Sequence, residues 1–399
     1  MISITDKAKC SGCTACFSIC GKSAITMKPD VMGFMYPVVD MDKCVNCGLC
    51  EKVCAFSDNY KTPDNFDKPK PFAARQLNIQ EIEKSRSGGV FAALSDWVLD
   101  EGGVVYGAGF DKSFRVLHKR ADTKDGRDEF RGSKYVQSYM GDIFCQVAKD
   151  LKNGLKVLFS GTPCQTAGLL SFIALKRING VNLFVCDIVC HGVPGPNIWD
   201  DYLKYIEKKK KKKITGVNFR DKLRFGWRSH RESFQLDNTY VYIPAYTFYQ
   251  HIMFRHSCGE CHYTNLRRTA DITLADFWGW EKIDNEINKD DKGVSLILVN
   301  TLKGEKLFSE IKDKLWLIST TIDKCIQPNL QHPSTVHPLR MKFEETYSRL
   351  GFEKNDEKIW TYGLEILFEK RTSLYEWSAK THESSDMEAD WRLIGVNFY

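Results

Sequence analysis

Eight of the fifteen cysteines in this chain lie within its first 54 residues, in two copies of one pattern. Cys10-x2-Cys13-x2-Cys16-x3-Cys20 recurs as Cys44-x2-Cys47-x2-Cys50-x3-Cys54. Three thiolates at two-residue gaps wrap one iron–sulfur cubane, and the fourth cysteine of such a run reaches across to the other cluster. The spacing therefore predicts two [4Fe–4S] clusters. One sits on Cys10, Cys13, Cys16 and Cys54, the other on Cys44, Cys47, Cys50 and Cys20. Paired zinc knuckles use longer internal loops and do not account for two identical tandem runs. Two neighbouring clusters make a wire for single electrons, so the rest of the chain must supply what the wire serves.

Over residues 1–56 the sequence resembles the bacterial two-cluster ferredoxins. It departs from them after the fourth cysteine of each run, where the usual proline is Gly21 in one copy and Ala55 in the other. That proline shapes a turn and does not ligate.

Beyond this unit the common cofactor fingerprints are missing. Gly107-Ala-Gly109 follows a strand but lacks the third glycine of a dinucleotide loop, and no phosphate-binding G-x-x-x-x-G-K-S/T run occurs. Other stretches carry chemistry. Ser87-Gly88-Gly89 opens a helix, where free N–H groups suit an anion. Arg131-Gly-Ser-Lys134-Tyr135-Val-Gln137-Ser138 gathers a cation, a phenol, an amide and hydroxyls. Thr162-Pro163-Cys164-Gln165 lies at a strand-to-helix turn, where a helix N-terminus favours the thiolate. Cys190-His191-Gly192-Val-Pro194 ends a strand, and Cys258-Gly-Glu-Cys261 precedes Ala275-Asp276-Phe-Trp278-Gly279.

From about Phe72 to about Thr320 these stretches resemble the beta-subunit family of coenzyme F420 hydrogenases and dehydrogenases. The resemblance implies an FAD in a mixed α/β domain, one further [4Fe–4S] cluster, and electron exchange between a hydride carrier and the clusters. Cys164, Cys190, Cys258 and Cys261 could close the third cubane. Cys186 competes with Cys190, since on an extended strand both point to one face. A zinc site or redox dithiol is the competing reading of Cys258 and Cys261. Ser87, Gly88, Gly89, Lys134, Gln137, Ser138 and Thr162 are the expected cofactor-binding positions. His191 is either a proton relay or a loop histidine bonded to backbone. No catalytic residue is assigned.

The expected function is that of an iron–sulfur flavoprotein oxidoreductase. It passes electrons between ferredoxin-type clusters and a two-electron carrier, F420-like, or a small organic substrate. The alternatives are a ferredoxin-dependent reductase of a biosynthetic intermediate and a non-catalytic electron-transfer subunit of a larger complex. Expected partners are an electron carrier (F420-like, ferredoxin or similar) or a small organic substrate, with other redox subunits besides. Neither nucleic acid nor membrane insertion is expected.

The elements that must hold these groups read as an α+β chain. A small bicluster ferredoxin-like domain (1–56) and a polar, proline-bearing linker (57–71) precede a mixed α/β flavin-binding body. The body is read in two parts, 72–180 and 181–335, before a helical or irregular segment, 336–399. Helices are expected over 89–100, 142–152, 162–174 and 199–208, and strands over 104–110, 156–159, 181–189, 293–300 and 315–318. A hairpin is expected around Asp237-Asn238. At 43% hydrophobic the chain can bury real cores, and its net charge of +6 over 399 residues names no partner. The run Lys208–Lys213 reads as a solvated helix end. No export signal and no apolar run of about 18 residues is evident. Dense cysteine without either fits metal ligation in a reducing cytoplasm.

Overall fold

The structure is a computed structural model that describes residues 1–58, 60, 65–244, 248 and 250–352 of the 399. Much of the last expected segment, 353–399, lies outside the described residues.

In the N-terminal unit each cysteine run feeds a helix of about one turn, α1 (Ala15–Ile19) and α2 (Leu49–Lys52). Between them β1 (Ile25–Pro29) and β2 (Met35–Val39) pair antiparallel.

The body is built on one eight-stranded sheet. Its strands are β3 (Lys70–Gln76), β4 (Val104–Phe110), β5 (Val116–Ala121), β6 (Val157–Gly161), β7 (Leu183–Ile188), β11 (Ile272–Asp276), β12 (Ser295–Val299) and β13 (Leu315–Ser319). The order is β13-β3-β12-β11-β7-β6-β4-β5. The four strands β11, β7, β6 and β4 run parallel, and antiparallel pairings flank them on both sides. Strands from 72–180 and 181–335 interleave, so these stretches are parts of one sheet. The chain is thus α+β, as its pattern of elements implies.

Side chains on the parallel strands alternate between two cores, as the pleat requires. Val157, Phe159, Leu183 and Val185 face α6 (Ile143–Lys152) and α7 (Pro163–Leu175). Leu158, Phe184 and Cys186 face α4 (Val90–Asp100), which follows the short α3 (Ile79–Lys84). The short helix α5 (Lys124–Asp128) follows β5. A separate three-stranded sheet, β8 (Ile214–Asn218), β9 (Arg231–Leu236) and β10 (Thr239–Pro244), packs against α8 (Pro196–Lys210) through Trp199 and Phe234. The lysine run forms the last turn of α8 and the exposed residues after it.

One expectation needs correction. The linker ends before Lys70, because Lys70 and Pro71 already pair with Val299 and Leu298 in β3. Pro71 is tolerated there because it stands at the start of the strand. The strand is invisible to pattern reading, since its neighbours β12 and β13 come more than two hundred residues later.

The ferredoxin-like unit is seated on the body. Ile2, Ala15, Ile19, Ile25 and Val53 share a core with Phe144, Leu169 and Phe172 of α6 and α7. Each of these isoleucine, valine, leucine and phenylalanine side chains contributes about 1.5–3 kcal/mol when fully buried. The exposed pair Lys9–Glu260 adds little, while Lys7–Glu344 and the buried hydrogen bonds from Arg255 to Cys10 O and Met35 O tie the two parts beside this apolar contact. α7 is bare at Gly168, where an added Cβ would stand 2.8 Å from Cys13 Sγ.

Candidate functional site

The parallel strands β6, β7 and β11 end side by side, and a cavity of about 930 Å³ opens beyond their carboxyl ends. Crevices at that end of parallel sheets are where ligands bind, and this volume is at the upper end of small-molecule sites. Its walls include Val90 and Phe91 of α4, Phe130, Tyr135, Phe248 and Leu274.

At the inner end lie four thiols. Cys164 sits in the first turn of α7, directly after β6. Cys190 follows the end of β7, and Cys258 and Cys261 come from a 3-10 turn and its cap. All four line the cavity. Burial, and then repulsion by Cys258, Cys164 and Cys261, push the Cys190 thiol well up. Burial and then Cys261 push Cys258 up to about 12, and burial and then Cys164 do the same to Cys261. Four mutually repelling thiols on one cavity wall suit a metal centre, which deprotonates its ligands and offsets their charge. Among the described residues no group of three or more His, Cys, Asp or Glu has the spacing to hold a single metal ion. A cubane asks for a different geometry, since each thiolate binds its own iron.

Cys186 does not line this cavity. It is buried in the core beneath α4, opposite Ile272 of β11. The shared-face argument fails because β7 stops at Ile188, so Cys190 is not on the strand.

The N-terminal cysteines also gather in two sets. Burial, then Cys13, Cys10 and Cys54, raise the Cys16 thiol, and Cys13 is raised by burial and then by Cys54. Cys20, Cys44, Cys47 and Cys50 line a second, smaller pocket. The first set lies toward the body: Cys164 adds to the repulsion felt by Cys13, and Cys54 packs with Cys164 and Cys261 around Phe56 and Tyr263. The Tyr263 hydroxyl donates to Ala55 O. Cys47 is exposed at the far side.

Of the expected cofactor-binding residues, Ser87, Gly89, Lys134, Gln137, Ser138 and Thr162 line the cavity and Gly88 does not. A Cβ at Gly88 would lie 2.2 Å from Ala74 O, so the residue is small to let α4 approach the sheet. Several donors already have partners. Ser87 Oγ donates to Val294 O at 2.7 Å, Lys134 Nζ to the carbonyls of Glu129 and Arg131, and Gln137 Nε2 to Ser11 O at 2.8 Å.

Ser138 belongs to a hydrogen-bond chain whose directions can be worked out. Thr162 N donates to Gln165 Oε1 (2.9 Å), and Gln165 Nε2 donates to Ser138 Oγ (2.9 Å). His118 Nε2 must donate to the Ser160 carbonyl (3.0 Å), so Nδ1 accepts from Ser138 Oγ (2.8 Å). Burial pushes His118 down to about 4 and keeps it neutral, as this chain requires. The chain stiffens the β6–α7 turn that carries Cys164. Burial also pushes His191 down to about 4 beside the cavity, and its carbonyl accepts from Ser334 Oγ at 2.5 Å.

Another part of the cavity wall is rich in arginine and aromatic rings. Arg86, Arg220, Arg228 and His230 line it with Trp278 and Trp280. Arg220 Nη1 donates to Asp276 Oδ2 at 2.5 Å, and its guanidinium stacks 5.3 Å from the Trp278 ring. Trp278 in turn stacks on Trp227 at 4.6 Å. Burial opposes ionisation of Asp276, but Arg220 and Arg86 hold its carboxyl below the usual range. Burial, then Arg220 and Arg86, push His230 down to about 3. Sequence reading missed these residues because Arg220, Arg228 and His230 lie on the β8–β9 connection, which carries no motif, and Arg86 stands just outside Ser87-Gly88-Gly89.

A two-cluster relay fused to a sheet with a large cavity defines an iron–sulfur electron-transfer oxidoreductase. Residues 154–324 match the family model for the C terminus of the coenzyme F420 hydrogenase/dehydrogenase beta subunit, and residues 9–57 match the 4Fe-4S dicluster domain. Over residues 154–324 the chain is thus similar to the F420 hydrogenase/dehydrogenase beta subunits, and it carries a dicluster domain with two [4Fe–4S] clusters. A solved chain from the F420-reducing [NiFe] hydrogenase complex from Methanosarcina barkeri is similar at 17% identity and a TM-score of 0.46, over 75% of this chain and 94% of that one. No curated protein matches the chain. No helix among the described residues is long and apolar enough to cross a membrane.

Proposed function

We propose that this is a flavin-dependent iron–sulfur oxidoreductase of the cytoplasm. It exchanges electrons between its clusters and a two-electron carrier, such as the coenzyme F420 named in the family description, or a small organic substrate. The observation that carries the reading is the convergence of Cys164, Cys190, Cys258 and Cys261 at one end of the large cavity, beside the inner N-terminal cysteines.

In this reading Cys10, Cys13, Cys16 and Cys54 hold the inner N-terminal cluster. Cys20, Cys44, Cys47 and Cys50 hold the outer one, and the four cavity thiols hold a third. FAD, when bound, supplies the exchange between two-electron and one-electron chemistry that clusters alone lack. The residues fit such a group. The first turn of α4, with Gly89 and Val90 on the cavity wall, offers N–H groups to a pyrophosphate. Arg86, Arg220 and Arg228 on the cavity wall favour anions, and Phe91, Phe130 and Leu274 exclude water from a planar ring. The neutral His118 chain holds the turn bearing Cys164 in place.

Anaerobically purified protein is expected to contain about twelve irons per chain, at four per cubane, and one FAD. Elemental analysis and the visible spectrum measure both. About eight irons and no flavin would make the chain a carrier subunit of a larger complex instead. Bleaching of the flavin by candidate reductants would then identify the carrier.

A further inference from the structure

Among the described residues Arg255 is a buried cation with no carboxylate partner. The residue is 1% exposed. Its Nε donates to Cys10 O (2.7 Å), Nη1 to Gln137 Oε1 (2.9 Å), and Nη2 to Met35 O (3.0 Å) and Cys10 Sγ (3.6 Å). The guanidinium lies 4.2 Å from the Tyr36 ring centroid. Each of these partners is neutral or a cysteine sulfur. The other deeply buried arginines differ: Arg268 meets Asp187, Arg127 meets Asp96, and Arg340 meets Glu344.

Arginine stays protonated in proteins, and an unpaired charge in an interior is strongly unfavourable. Something anionic must stand against it. Of the atoms hydrogen-bonded to it, the one able to carry a negative charge is Cys10 Sγ; its charge also reaches the more distant Cys164 and Cys258 thiols, and thiolate ligands give a cluster net negative charge. Cluster charge and hydrogen bonds to the sulfurs are among the factors that set reduction potential. The outer set is treated differently. Cys50 and Cys20 Sγ accept backbone N–H groups from Ile2 and Ala24, each at 3.3 Å, and the N-terminal ammonium nearby is paired with Glu51.

We propose that Arg255 is the buried counter-cation of the cluster on Cys10, Cys13, Cys16 and Cys54, and that its charge and N–H···S bond raise that cluster's midpoint potential. The proposal rests on the ligand assignment above and is independent of the flavin. Arg255 takes up neither the electron nor a proton. It favours the reduced form of the inner cluster, so an electron on the relay resides next to α7 and the cavity.

The test is an EPR-monitored potentiometric titration of the full-length, cluster-loaded protein. With iron content unchanged, Arg255→Gln should lower the midpoint of the Cys10 cluster by more than any other, because only that cluster loses a direct N–H···S bond. At a fixed potential the reduced-to-oxidised ratio of that cluster should fall at least about tenfold, equivalent to 59 mV for one electron. Arg255→Lys keeps the charge and should restore most of the loss. Cys10→Ser should abolish the same wave. If Arg255→Gln loses iron, Gln137→Glu sets a carboxylate on Nη1 with the arginine kept, and should lower that midpoint too. Unshifted midpoints, or an equal shift in every wave, overturn the proposal. A shift confined to a wave that survives Cys10→Ser overturns the ligand assignment, and the pairing with it.

Discussion

Cys164→Ser should remove about four irons per chain from an expected total of about twelve, leaving the two N-terminal clusters spectroscopically intact. Cys164 is the cavity thiol with the most constrained position. The residue lies in the first turn of α7, its Sγ is 3.3 Å from Thr162 Oγ1, and the turn is braced by the Gln165–Ser138–His118 chain. A serine there cannot swing to another donor, and its hydroxyl is a poor replacement for a thiolate. Cys186→Ala is the matched control, because Cys186 faces the core under α4 and should leave iron unchanged. Iron retained in Cys164→Ser, or lost selectively in Cys186→Ala at equal folded yield, would sink the third-cluster assignment. The same pair of variants tests whether the cavity is a redox site at all.

Arg268→Met is expected to destabilise the body by about 3–5 kcal/mol, the usual consequence of leaving a buried charge without its partner. Arg268 and Asp187 have side chains 1% and 0% exposed, with Nη2 2.9 Å from Oδ2. Arg268 also donates to Tyr263 O (2.7 Å) and Ile188 O (3.0 Å), which joins the end of β7 to the loop after Cys261. Asp187 accepts from Thr273 Oγ1 of β11. Burial raises the Asp187 carboxyl even with Arg268 beside it. In the variant that carboxyl stays buried most easily when protonated. A raised folded-state pKa means stability is present at low pH and lost as pH rises through it, so the deficit should widen above about pH 4. Denaturation midpoints of equally loaded protein at several pH values measure this. A deficit under about 1 kcal/mol at neutral pH would show that Asp187 finds another partner. Replacing Asp187 as well, by leucine, should recover part of the loss, since it removes the orphaned charge.

Legibility followed locality. The two cysteine runs could be read because a cubane is wrapped by thiols only two residues apart, and because the pattern repeats. The turns before α4 and α7 were legible for the same reason: Ser87-Gly88-Gly89 and Thr162-Pro163 act within a few residues. Gly88 shows the limit of such reading. Its type marks a special backbone position, but the neighbour that requires it is the Ala74 carbonyl on β3, not a ligand. Gln137 and Ser138 have the right chemistry for a cofactor and line the cavity, yet their side chains are also engaged with Arg255, Ser11, Gln165 and His118.

The choice between Cys186 and Cys190 turned on where β7 ends, which depends on its pairing with β6 and β11. The arginine-rich part of the cavity wall is assembled from the turn at Arg86 and the β8–β9 connection with Arg220 and Arg228, which meet only in the folded chain. By itself, then, the sequence determined the two-cluster relay and the α+β class, since spacing and periodicity are short-range properties of the chain. The tertiary structure alone decided which thiols face one another, and that a guanidinium 245 residues from Cys10 should lie against it. Strand order and burial act across the whole chain and leave no local mark.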